Sequence, residues 1–328
     1  MINKNSKYYK IIKKSINPFR LKKIYNHDFK TFKINSYELN RNKSFNNVRG
    51  EITFLYHALE KGMIHKKLRL GYGKEKINKI MDLIDYSIKS NFDLNDDRIQ
   101  TAISVLNEYV RLHEKNNYDV SYIKEFLLLH ELKKDTFTGG IIEESKENIL
   151  RNVKGNFEDL SFSRHSIREF TTDPIPKELI ENAIRIASKT PSVCNRQAWS
   201  VTVVKDNSLI KELMKIQSGI NGMAENMNTL IAITTSYEYF GNIHERNQAF
   251  IDGGLFAMSL LYALTYLGVG TCALNANLRI SDEITVKEKL GLSNADNLIM
   301  FIAVGHYQET VKYPKSNRDS VTKIVNFI

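Results

Sequence analysis

The chain has 328 residues, enough for about two domains. Hydrophobic residues make up 42% and charged residues 26%, which excludes wholesale disorder; two cysteines, Cys194 and Cys272, are too few for a disulfide framework. We therefore expect a reducing compartment and a cytoplasmic protein. The net charge of +10 is uneven: residues 1–50 hold 13 Lys and Arg against 2 Asp and Glu, and the remainder carries −1.

In chain order, the basic arm of residues 1–50 comes first. Tyr8, Tyr9, Phe19, Tyr25, Phe29 and Phe32 stand among its lysines, without the apolar core a secretory signal needs. Such an arm suits an anionic membrane surface or a nucleic acid, and equally a solvated segment that packs its aromatics on the protein body. We expect peripheral membrane contact through residues 1–50 and no nucleic acid. Residues 51–155 read as a helical domain. Glu51–Lys61 sets Ile52, Leu55, Tyr56 and Leu59 on one face, with Gly62 as C-cap. Lys74–Ser90 and Asp97–Glu114 repeat the pattern, and Ser121 caps a fourth helix running to Leu132. Asp135–Gly140 is a break and Ile141–Gly155 a helical connector.

From about Asn156 the texture changes. A helix over Lys177–Lys189 follows Pro174 and Pro176. Strand-like runs at Ser200–Lys205, Leu230–Thr235 and Leu298–Gly305 alternate with helices at Ser208–Gln217, Arg246–Leu267 and Ser281–Leu290. Val321–Phe327 reads as a last strand. Interleaved strands and helices predict an α+β or α/β domain over residues 156–328. Gly253–Leu274 carries no charge and is long enough to cross a bilayer, but its four glycines fit a helix buried in a core or dimer interface better.

Three segments could carry chemistry. Arg164-His165-Ser166-Ile167-Arg168 sets two guanidiniums and a hydroxyl at alternate positions, which suits a phosphate monoester; a basic loop before a helix would look the same. Pro191–Trp199 holds small polar groups, two amides (Asn195 and Gln197) and the only tryptophan. Amides suit the edge of a heterocycle, or a turn beside a core tryptophan. Gly268–Asn275 offers close backbone approach to a flat ligand, or a helix C-cap leading into a strand. No catalytic acid, nucleophile or metal-ligand set stands out.

In this order and spacing the segments resemble the FMN-dependent nitroreductase family over about residues 157–328. Arg164–Arg168 looks like its Arg-x-Ser-x-Arg signature. Pro191–Trp199 is similar to its Pro-Ser-x-x-Asn-x-Gln-Pro-Trp loop, with Ala198 in place of proline. Pro314–Arg318 resembles its basic closing segment. Leu55–Gly62 and Leu70–Gly73 resemble the leading region of nitroreductase-like proteins found with bacterial surface-polysaccharide genes. The resemblance implies an α+β fold, with a mixed, mainly antiparallel sheet flanked by helices and preceded by an all-α domain. It also implies a homodimer with FMN at the subunit interface, NADH or NADPH as electron donor, a small-molecule electron acceptor, and cofactor-borne chemistry. By that mapping Arg164, His165, Ser166 and Arg168 hold the phosphate, with Lys315 and Arg318. Pro191, Ser192, Asn195 and Gln197 approach the flavin, and Cys272, Ala273 and Leu274 line its ring. Arg196, His57 and Glu60 are candidate substrate contacts; His57, Glu60 and Lys61 would equally form a local ion-pair cluster.

Overall fold

The computed structural model describes residues 16–23, 25–26, 29–30, 37, 43–132, 138–220, 222–223, 226–240 and 243–328. Tyr8, Tyr9 and Phe32 of the arm, and residues 135–137 of the break at Asp135–Gly140, lie outside them. Two compact units emerge. One contains residues 1–141 together with 314–328, the other residues 142–313. The last fifteen residues thus group with the helices, whereas the sequence suggests a boundary at 155 and a second domain running on to 328.

The helical unit is built on α1 (Phe45–Met63), α2 (Lys74–Lys89), α3 (Asp97–Glu114) and α4 (Ser121–Leu129). Ser44 and Asn47 form a reciprocal capping box that starts α1 six residues before the expected helix. Val48, Ile52, Leu55 and Leu59 of α1 join Ile77, Ile80 and Ile84 of α2 and Ile99, Ile103 and Leu106 of α3 in one core. Gly62 is not the C-cap: it lies inside α1, whose C-cap is Ile64. A Cβ there would stand 2.0 Å from the Tyr72 ring, whose hydroxyl donates to the Leu59 carbonyl at 2.6 Å. Close approach, not helix termination, is what requires glycine. The C-terminal segment is held to this unit by charge. Arg98 pairs with Asp319 at 2.7 Å, Arg49 with both Asp96 and Asp319 at 3.1 Å, and Lys323 with Asp96 at 2.8 Å. Val321–Ile324 is a helical turn in this clamp and not the expected strand.

The second unit opens with β1 (Ile141–Ser145), which replaces the first part of the expected helical connector. It pairs with β6 (Thr310–Pro314), a partner 165 or more residues away that no local pattern announces. Helices α5 (Lys146–Asn152), α6 (Phe157–Ser163) and α7 (Lys177–Ala187) follow. An antiparallel sheet runs in the order β2-β3-β5-β4, from Trp199–Val204, Thr229–Ser236, Asp296–Gly305 and Gly270–Asn275. Along β3, Leu230 and Ala232 enter one core, while Ile231 and Ile233 enter the other. Burial on both faces explains its unbroken apolar run. One face carries α8 (Asn207–Gln217) and α10 (Ile280–Leu290); the other carries α7 and α9 (Gln248–Tyr266). By length and composition α9 could span a bilayer, yet Phe256, Ala257, Leu260 and Leu264 are buried against the sheet.

Candidate functional site

Asn156 and Asp159 form a capping box that starts α6, and the chain leaves that helix extended at Arg164. Ser166 then makes an isolated parallel bridge to Thr271 of β4, and the Ile167 N–H donates to the Thr271 carbonyl at 2.8 Å. With Ile167 buried as the anchor, the Arg164–Arg168 segment is fixed against the Cys272–Leu274 strand. Two of the three segments are therefore brought together.

Arg168 is 6% exposed. One Nη donates to the Ser166 carbonyl at 3.1 Å, while Nε is buried with no hydrogen-bond partner. The Thr271 hydroxyl beside this segment is likewise buried and unpartnered. Among the described residues no carboxylate pairs with Arg168. A buried guanidinium without a counter-charge is costly, and a phosphate oxygen offers the charge-assisted acceptor it lacks. The residues present thus fit the phosphate end of FMN. His165 stacks on Tyr313 with ring centroids 3.8 Å apart, and the Tyr313 hydroxyl donates to Glu144 at 2.6 Å. Burial pushes the Tyr307 hydroxyl above its ordinary pKa, and the Arg164 guanidinium opposes that shift.

On β4, Cys272 and Leu274 are buried and Ala273 is exposed. The Thr271 carbonyl faces away from β5, because it accepts from Ile167. Two residues on, the Ala273 N–H and carbonyl face the same way, at the strand's open edge. That peptide is available to a flat ligand. The Cys272 thiol is in the core.

The loop before β2 is built differently. Val193–Asn195 forms a 3₁₀ turn, and Cys194 and Gln197 take left-handed backbones with φ of 50° and 47°. The Gln197 N–H donates to the Ser192 hydroxyl at 3.0 Å. The Val193 N–H donates to the Asp252 carboxylate at 3.2 Å, and the Gln248 amide donates to the same group at 2.8 Å. Trp199 stacks on Phe256 at 4.8 Å. α9 thereby holds the loop at two points. Pro191 is exposed and Ala198 buried; the Asn195 side chain is outside the described ones.

Arg196 bonds Glu245 at 2.5 Å, the Tyr239 carbonyl at 2.8 Å and the Val193 carbonyl at 3.2 Å. The guanidinium also lies 5.0 Å from the Phe240 ring centroid. Its donors tie the loop to the turns at Tyr237–Tyr239 and Ile243–Glu245. Glu245 and Asp252 shape the loop, and Asp252 opens the Asp252-Gly253-Gly254 run that resembles the start of the family's central helix. Only Asp252 left a signal, as the lone carboxylate opening an uncharged stretch.

β2 and β4 are opposite edges of the sheet, three strand spacings or about 14 Å apart. The Pro191–Gln197 loop and the Arg164–Arg168/β4 cleft therefore occupy different edges of one chain. Lys315 and Arg318 belong to the C-terminal segment grouped with the helices, where the Lys315 N–H donates to Gly140 at 3.1 Å and Arg318 bonds the Ser316 carbonyl. His57 and Glu60 are in the helical unit too. Glu60 is fully buried and accepts from the Gly140 N–H at 3.1 Å; its second oxygen is 3.7 Å from His57 Nδ1. Among the described residues no cluster of three or more His, Cys, Asp or Glu is arranged to hold a metal.

An antiparallel sheet with helices on both faces, an anion-ready arginine beside its edge strand and a loop buckled to the central helix define a nitroreductase-like α+β fold. Residues 162–220 and 211–306 match the model of the nitroreductase family. Iodotyrosine deiodinase 1 of Rattus norvegicus is 32% identical over 107 residues, covering 28% of this chain and 38% of that protein. The chain spans only about a quarter to two fifths of the length of the first vertebrate and cnidarian deiodinases it matches. A protein of Archaeoglobus fulgidus, provisionally named NADH dehydrogenase/NAD(P)H nitroreductase, is 25% identical over 163 residues, 48% of this chain and 85% of its own length. Among solved structures, a nitroreductase family protein of Streptococcus pneumoniae TIGR4 aligns at 24% identity, covering 53% of this chain and all of that one, with a TM-score of 0.44.

Proposed function

We propose that the protein is an FMN-dependent oxidoreductase that carries electrons from NADH or NADPH to a small organic acceptor. The observation that carries this reading is Arg168, buried, without a counter-charge among the described residues and fixed beside the open edge of β4. Arg164, Ser166 and Arg168 would hold the phosphate, and the Ala273 peptide would face the ring. When bound, FMN supplies the hydride and electron chemistry. The chain's own part is to hold, orient and shield: α9 and Asp252 set the flavin-side loop, and Ala273 offers a fixed backbone donor.

The separation of the loop from the β4 cleft supports a homodimer in which one copy's loop completes the other's site. Phe250, Ile251 and Leu255 on α9 are about half exposed, an apolar face that a second copy would cover. We further propose a cytoplasmic location, on the free thiols of Cys194 and Cys272. An acceptor from surface-polysaccharide biosynthesis rests on the resemblance of Leu55–Gly62 and Leu70–Gly73 alone.

The test is the visible spectrum of the purified protein offered excess FMN, followed by anaerobic NADH or NADPH. A flavin band that bleaches supports the oxidoreductase. A band that persists with both donors replaces it with an FMN-binding protein without turnover. No retained flavin removes the cofactor assignment. Light scattering of the loaded protein should give a dimer mass, and a monomer would overturn the shared site.

A further inference from the structure

Charge and apolar exposure coincide at one place outside the candidate site. Residues 16–23, 25, 26, 29 and 30 are helical. Leu21, Tyr25 and Phe29 recur every fourth position, the spacing of one helical face. Tyr25 is 48% and Phe29 63% exposed, and Phe19 at the start of the run is 77% exposed. Arg20, Lys23 and Lys30 fall on the opposite side at helical spacing, and Lys22 lies on the flank.

Residues 1–50 hold all of the net positive charge, while the rest of the chain is almost neutral. Solubility of the whole does not need this concentration. α9, the one described helix apolar enough to cross a bilayer, is packed on the sheet.

We propose that the arm carrying the helical residues 16–23, 25, 26, 29 and 30 docks this protein on an anionic bilayer surface. The Leu21/Tyr25/Phe29 face would enter the headgroup and acyl boundary, and the lysines and arginine would meet anionic headgroups. Aromatic rings suit that boundary, having an apolar body and, in Tyr25, a polar tip. Phosphate recognition along a nucleic acid would need the charges but not the aligned apolar face.

Co-sedimentation of the full chain with vesicles of phosphatidylcholine alone, or mixed with phosphatidylglycerol, tests this. Binding should require phosphatidylglycerol and weaken with salt. Two variants separate the contributions: R20E/K22E/K23E/K30E, and L21S/Y25S/F29S. At about 5-fold per basic residue, charge reversal should lower binding at least about 100-fold. The serine variant should lower it about 10-fold or more. Circular dichroism confirms that both retain the fold. No binding to the mixed vesicles at low salt overturns the proposal. So does binding that ignores the serine variant and is competed by duplex DNA, which would make the arm a nucleic-acid contact. Vesicle-independent self-association that L21S/Y25S/F29S dissolves would also overturn it, assigning the face to a second copy.

Discussion

At the scale of single residues, two arginines near the proposed flavin have opposite circumstances. Arg168 is buried with an unused donor, whereas Arg196 already has Glu245 and two carbonyls. Arg168→Ala should therefore weaken FMN binding about 10–150-fold, the equivalent of a charge-assisted contact of ~1.5–3 kcal/mol. Arg196→Ala should nearly spare FMN affinity and instead raise the acceptor KM by loosening the loop. Fluorescence titration of FMN into both apo-variants checks the contrast, and a larger loss at Arg196 would reassign the phosphate site. A second residue-scale prediction concerns pH. Hydrogen bonding from Arg98 holds the Asp319 carboxyl below its ordinary value, and the Ser320 N–H does the same for Asp97. Their contribution is present above the ordinary carboxylate pKa of about 4 and is lost as pH falls through the depressed folded values. Lys323 is held above its ordinary value by Asp96, so its contribution is lost only as pH rises through that raised value. Protection factors of the amides in residues 319–325, with the intrinsic pH dependence of exchange divided out, should thus be higher at neutral pH than in acid.

Elements show which constraints were visible beforehand. α2 and α3 follow from apolar periodicity in a proline-free stretch, and their observed bounds differ from the expected ones by at most one residue. β3 and β5 were legible because β-branched runs are short and bounded. β1 and β6 were not, since each is a strand only through the other. The site divides in the same way. Arg164, Ser166 and Arg168 stand out by their alternation, but their juxtaposition with Thr271 depends on a bridge across more than a hundred residues. The clamp joining Arg49, Asp96 and Arg98 to Asp319 and Lys323 has no sequence signature at all, because opposite charges two hundred residues apart are common. Gly62 resembles a helix end by sequence, but in the fold it is a point of contact with Tyr72. Gly62→Ala should destabilise the helical unit by about 1–3 kcal/mol through overpacking on Tyr72. Thermal denaturation measures this, and Tyr72→Ala in the same background should recover part of the loss that the contact itself causes.

For the whole molecule, the C-terminal segment is a structural part of the helical unit. A chain ending at Tyr313 should lose protection in residues 45–114 while the sheet core around Leu230 and Phe301 keeps it; hydrogen exchange read by mass spectrometry resolves the two. Uniform loss in both would mean that the clamp is not confined to the helices. The chain leaves the helical unit at Ile141 and returns at Pro314, through strands that pair with each other, and just before and after them the Lys315 N–H bonds the Gly140 carbonyl at 3.1 Å. Residues 142–313 are in this sense a guest within a host whose two cut ends are already adjacent. A short turn joining Gly140 to Lys315 would close the host without stretching it. Ancestry can work on such a junction as an engineer would. The guest can be exchanged or diversified while the helices that receive it keep their own sequence, and the two halves are free to change at different rates.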